Sequence, residues 1–376
     1  MRWATGSLAT VVLAGSLGVA SAGEPGHEPN PKLTAIAENS WEKVAGFAPA
    51  PRGILAYSGG VYDSVNHRFL IFGGGHADYW GNEVCAFSPA TLTWQKMYEP
   101  DARARYTNDN LDHKNGKLKD SDKPYTRHSY NQLCFLKSSG AMFIFGGCGP
   151  GWGDIKPTCM VPSDAWSYSF KDNKWTQLSD NARGFGYAKA CCYDSKRDTV
   201  WAYGKERTEL QQFDLKAKTW KRHPVKSKIV PVGINVQMEY LPKSDRVMIV
   251  GSTPADAACT VNLEDMSVEA HPLEGASGGA GLTYLPEHDA ALYLHVPRGD
   301  PPSPSRLALF DCATGKWRDV DSQVPELKGT VWSRFRYDPV DKVALLVSGS
   351  GVWAYQPPKE FSFKGDAGGK PAAETN

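Results

Sequence analysis

Between Phe72 and Glu83 the chain reads Phe-Gly-Gly-Gly-His-Ala-Asp-Tyr-Trp-Gly-Asn-Glu. Three successive glycines allow backbone angles that other residues resist, so the chain can leave a strand sharply there. A turn needs only small residues, yet His76, Asp78, Tyr79, Trp80 and Asn82 add an imidazole, a carboxylate, a phenol, an indole and an amide. A second concentration, Arg127-His128-Ser129-Tyr130, ends a charged stretch that runs from Glu99 to Thr126. His76 or His128 suits removal of a proton α to a carboxylate. Tyr130 or Tyr79 suits protonation of a leaving oxygen, and Arg127 suits neutralising the carboxylate. Tyr79, Trp80 and Trp152 offer rings that stack on sugars, and Asn82, Arg183 and Arg334 offer polar contacts, guanidinium being matched to carboxylate. Together these residue types suit an acidic sugar. The plainer roles are that His76 hydrogen-bonds a neighbouring loop, that His128 caps a strand end near the central channel, that Tyr79 and Trp80 pack beneath their loop, and that the arginines are solvated or pair with Asp78 and Asp154.

The elements that must carry these residues recur along the chain. A first strand ends in an aromatic residue and a polar turn, as in Tyr62-Asp63-Ser64-Val65-Asn66, Tyr193-Asp194-Ser195-Lys196-Arg197 and Tyr337-Asp338-Pro339-Val340-Asp341. A short apolar run follows each time, such as Phe69-Leu70-Ile71-Phe72, Met142-Phe143-Ile144-Phe145 or Val343-Ala344-Leu345-Leu346, and reads as a buried strand. A third strand comes next, and a tryptophan opens most fourth strands: Trp94, Trp175, Trp220 and Trp317. The sixth unit ends near Tyr355 without a fourth strand, and Trp41-Glu42-Lys43-Val44 fits the vacancy. Repeats of about fifty residues with closed edges predict a β-propeller of six blades, the N-terminal strand completing the last. Seven blades follow instead if residues 99–126 hide strands. The propeller is expected over residues 39–357, after a flexible lead-in at 23–38 and before a disordered tail at 358–376.

Phe72-Gly73-Gly74 and Phe145-Gly146-Gly147, each ending a second strand ahead of a spaced tryptophan, resemble the kelch repeat and the galactose-oxidase-type propeller. The resemblance spans almost the whole mature chain, most closely in the first two blades. It implies an all-β kelch-type fold in which the loops joining strands two to three, and four to the next blade's first, share one face. His76, Tyr79, Trp80, Asn82, Arg127, His128, Tyr130, Trp152, Arg183, Trp332 and Arg334 then gather there. Such propellers include enzymes and binding modules. Two functions follow: a polysaccharide lyase acting on a uronic-acid polymer, or a non-catalytic module binding glycan or protein on the same face. A copper oxidase is a weaker third, because the Tyr-His ligand set of galactose oxidase has no match here and only a polar tail follows Tyr355.

Composition narrows the setting. Arg2, the apolar stretch from Leu8 to Val19, and Ala20-Ser21-Ala22 read as a signal peptide over residues 1–22, which predicts a secreted or periplasmic protein. Without Arg2 the chain carries 41 basic and 41 acidic residues, which argues against a nucleic-acid partner. No later apolar run is long enough to span a membrane. A monomer is expected, its partner a polysaccharide or other glycan. Eight cysteines permit disulfides in an exported chain, and Cys148 with Cys159, bracketing one loop, form the best local pair. No CxxC doublet or HExxH motif occurs, so neither a metal nor another cofactor is expected.

Overall fold

The computed structural model describes residues 27–364, apart from 51, 75–78, 152–153, 157–158, 182–188, 205, 230, 232–235, 252–256, 275, 277–279, 297–303 and 328–329. Six four-stranded antiparallel sheets are arranged as the blades of a propeller. Blade one holds Gly59–Asp63, Arg68–Phe72, Val84–Ser88 and Thr93–Lys96; blade two holds Leu133–Leu136, Ala141–Phe145, Ala165–Ser169 and Lys174–Ser179. Blade three opens with Ala190–Asp194 and Thr199–Tyr203, blade four with Gln237–Leu241 and Arg246–Val250, and blade five with Gly281–Leu285 and Ala290–His295. Blade six takes Phe335–Asp338, Val343–Ser348 and Gly351–Gln356, and Ser40–Ala45 pairs antiparallel with the last of these.

The second strands are largely apolar because both of their faces are buried between blades. Alternation along Arg68–Phe72 sends Phe69 and Ile71 into the core shared with blade six, and Leu70 and Phe72 into the core shared with blade two. The polar turns are equally determined. Asp63 Oδ1 accepts from the Val65 and Asn66 amides, Asp194 Oδ1 from Lys196 and Arg197, and Asp338 Oδ1 from Val340 and Asp341. The turn then leaves through a left-handed residue before the second strand: His67, Asp198, Asp245, Asp289 and Lys342 all have positive φ. The fourth-strand tryptophans seal the blades. Trp175 lies 4.8 Å from Phe72 and donates to Tyr98 Oη at 2.7 Å, while Trp317 donates to the His271 carbonyl. Trp41 closes the ring, with its indole 5.0 Å from Tyr355 and 6.0 Å from Phe335.

Three expectations are corrected. The strands within residues 99–126 are the two-residue pair Leu111–Asp112 and Lys117–Leu118, too short to bury a sheet face, so the described residues form no seventh blade. Residues 27–38, expected as flexible lead-in, pack against blades one and six. Pro31–Thr34 is a helical turn whose Leu33 is fully buried, and the Asn30 side chain donates to the Pro89 carbonyl. The described start of the tail docks as well: Phe363 bridges Val320, and Arg318 lies 3.7 Å from its ring centroid.

Gly74 meets the connection to blade two at close range. Its amide donates to the Arg127 carbonyl at 2.6 Å, and an added Cβ would sit 3.0 Å from Thr126 Cβ and 3.3 Å from the Arg127 nitrogen, with Thr126 Oγ1 closer still. Gly74→Ala is therefore expected to cost about 1–3 kcal/mol by overpacking, measurable as a lower urea midpoint with unchanged slope.

Candidate functional site

The connection from blade one to blade two crosses the end of the propeller where the first strands begin, and hydroxyl crosslinks fix its path. Ser129 Oγ donates to the Phe72 carbonyl at 2.6 Å and accepts from the Gly59 amide at 2.9 Å. Ser333, on the connection into blade six, accepts from the Gly60 amide and donates to the Tyr130 carbonyl. His128 forms an antiparallel bridge with Cys148, at 2.9 and 3.1 Å.

On this frame stands a cluster of rings. His128 Nδ1 lies 2.9 Å from Tyr130 Oη, and the Tyr57 ring stacks on the imidazole at 4.2 Å between centroids and 22° between planes. Trp332 meets Tyr130 edge-on at 4.9 Å and donates its indole N–H to the Ala56 carbonyl. Tyr130 and Trp332 have φ of 48° and 51°. Bulky residues rarely adopt that conformation, and such outliers gather at ligand sites. His128 and Tyr130 are 4% and 5% exposed. The Cys148–Cys159 disulfide, as expected from the sequence, packs beside these rings with Cα atoms 4.8 Å apart. Because it closes a loop of about eleven residues, replacing both cysteines by serine is expected to remove about 2–3 kcal/mol. Reductant should lower the wild-type midpoint similarly and leave the double variant unmoved.

The other sequence-derived candidates divide. Arg127 is 1% exposed, and its guanidinium donates to Asp164 at 2.9 and 2.7 Å and to the Gly146 and Gly116 carbonyls. Its charge is thus already neutralised within the protein. Asn82 is fully buried, clamping Asp101 and the Pro124 carbonyl to blade one. Tyr79 is buried with its hydroxyl on Glu83. Trp80 is half-buried, with the Arg103 guanidinium 3.8 Å from its ring centroid and Tyr106 5.4 Å away. Arg334 donates to the carbonyls of Leu55, Ser58, Thr330 and Val347. Among the described residues no carboxylate pairs with it, and burial draws its pKa down to about 9. His76, Trp152 and Arg183 lie outside the described residues.

Two features escaped sequence reading. Tyr57 was passed over although it sits on a connection between blades, where the same topology rule would have placed it. The second is the central channel, which opens between the first-to-second-strand turns, at the opposite end from the His128 cluster. This cavity of about 340 Å³ is lined by first strands of all six blades. Arg336 reaches across it to Glu239 at 2.8 Å and to the Leu282 carbonyl, and burial pushes the Glu239 carboxyl up to about 7 despite that partner. At the corresponding place the other first strands carry Val61, Cys134, Cys192 and Thr283, so a lone glutamate and a lone arginine were the available signal.

No family model matches this sequence, and no curated protein matches it. Among solved structures, that of YjhT is similar with a TM-score of 0.54 over 83% of this chain and 95% of its own, at 13% identity. What the two share is the fold, a β-propeller, built here of six blades closed by the N-terminal strand.

Proposed function

We propose that this is an exported kelch-type propeller that takes an acidic polysaccharide on the face carrying Tyr57, His128, Tyr130 and Trp332, and cleaves it by elimination. The observation that carries this reading is the 2.9 Å contact between His128 Nδ1 and Tyr130 Oη beneath the stacked Tyr57 ring. An imidazole and a phenol sharing one hydrogen bond form an acid–base pair of the kind elimination needs. The base takes the proton α to the carboxylate, and the electron pair freed closes a carbon–carbon double bond. The glycosidic oxygen leaves as an alcohol with a proton from the partner group. Arg334 supports an anionic ligand: among the described residues its buried charge meets carbonyls and no carboxylate, two of them on the connection that carries Tyr57. Arg127 takes no part in this scheme, since Asp164 holds its charge.

A second reading, binding without turnover, is favoured by how little of His128 and Tyr130 meets solvent. One experiment separates the two. Purified protein is incubated with polygalacturonate, alginate and hyaluronate while the ultraviolet absorbance of unsaturated product is followed, beside affinity electrophoresis in the same polymers. A lyase gains absorbance, and Tyr130→Phe slows it at least about 100-fold. Retardation with flat absorbance leaves a binding module. Neither signal with any polymer overturns both readings.

A further inference from the structure

Three turn positions recur where one blade meets the next. They are the last residue of a first strand, the residue three places on, and the left-handed residue before the neighbour's second strand. At the seam of blades three and four these are Asp194, Arg197 and Asp245. The Arg197 guanidinium sits between the two carboxylates, at 2.9 Å from Asp194 and at 2.6 and 2.7 Å from Asp245, and Lys196 adds a second cation to Asp245 at 2.6 Å. At the seam of blades six and one the same positions hold Asp338, Asp341 and His67. His67 and Asp245 share a φ of 53°, which confirms the correspondence. A carboxylate has replaced the guanidinium, and Val340 stands at the position of Lys196.

We propose that the seam of blades six and one binds a divalent first-row transition metal through His67 Nε2, Asp338 Oδ2 and Asp341 Oδ2. His67 Nε2 lies 3.2 and 3.0 Å from the two carboxylate oxygens, and the three atoms lie within 4.8 Å of one another. Ligand atoms each about 2.0–2.2 Å from one zinc are spaced about 3.0–3.5 Å apart, a spacing the two histidine-to-carboxylate distances already match. The three residues are at most 1% exposed. Two carboxylates facing one imidazole are costly to bury without a counter-ion; a divalent cation on a neutral imidazole balances both. The other carboxylate oxygens are already held in place. Asp338 Oδ1 accepts from Tyr62 Oη at 2.5 Å and from the Val340 amide, and Asp341 Oδ1 accepts from the Asn30 amide at 2.5 Å. Partners of this kind orient metal-binding carboxylates. One imidazole nitrogen with two carboxylate oxygens suits zinc or manganese better than a thiol-seeking ion. On binding, the Nε2 lone pair forms the metal bond and any proton there passes to buffer.

The test uses the full chain, stripped with chelator and dialysed, then titrated with zinc chloride alone by calorimetry, with thermal unfolding alongside. The expected result is one zinc per chain and a raised unfolding midpoint, with affinity falling at least about tenfold in Asp341→Asn and His67→Gln. Asp341→Asn keeps the acceptor for Asn30 and nearly the same shape, so it carries the test if the histidine variant fails to fold. Absence of binding overturns the proposal, and so does binding that both folded variants retain at full affinity.

Discussion

Replacing Arg127 by leucine should lower the unfolding free energy by about 3–5 kcal/mol, read as a large drop in urea midpoint. The loss comes from what remains behind. Asp164 is fully buried, and among the described residues its carboxylate without Arg127 keeps the Trp166 indole N–H at 2.8 Å and the Gly146 amide at 3.2 Å. The guanidinium also ties the Gly146 and Gly116 carbonyls together, so its removal loosens the long connection as well as the second-to-third-strand loop of blade two. Adding Asp164→Leu to Arg127→Leu should recover part of the loss, because two apolar side chains bury no charge. A single variant with a wild-type midpoint would return Arg127 to the list of residues free to meet a substrate.

The channel pair should show itself through pH. Burial raises the folded-state pKa of Glu239 from 4.5 to about 7, so between those values the folded chain binds more protons than the unfolded one. The group therefore opposes stability least below about pH 4.5, and stability falls as pH rises through about 7. Its side chain is 21% exposed, which tempers the effect to about 2 kcal/mol across that window. Glu239→Gln should flatten this part of the profile. Arg336→Met should steepen it, since the carboxylate then loses the cation that pairs with it, and should cost about 3 kcal/mol or more at pH 8. Denaturant melts at intervals from pH 4.5 to 8 check both, and a wild-type slope in Glu239→Gln would assign the titration elsewhere.

What could be read from the sequence follows the range of the interactions concerned. The strands and turns were legible because their causes are local: alternation within Arg68–Phe72, and Asp63 capping amides two and three positions on. The closing strand was legible because Trp41 supplies the tryptophan that blade six lacks. The His128–Tyr130 pair lies two residues apart on one connection, and its chemistry could be named before its geometry was known. Arg127 was assigned a substrate's charge because its partner, Asp164, stands 37 positions away. Asn82 is taken up by Asp101, 19 positions away, and Glu239 by Arg336, 97 positions away. Side chains of one type look alike in a sequence whether a distant partner will occupy them or not. The seven-blade alternative turns on residues 99–126, whose charge and polarity argue against strands and whose paired strands are two residues long.

The pairing of Ser40–Ala45 with Gly351–Gln356 also dictates an order of events during synthesis. The first propeller strand to leave the ribosome is the last to find its partner, because that partner is made after every other blade. Until then blade one lacks Val343, Leu345, Val352 and Ala354, which fill its core from the far end of the chain. Loop closure over so long a stretch makes folding slow, and the waiting strands have unpaired edges that invite aggregation. A truncation anywhere before Gln356 is therefore felt at residue 40.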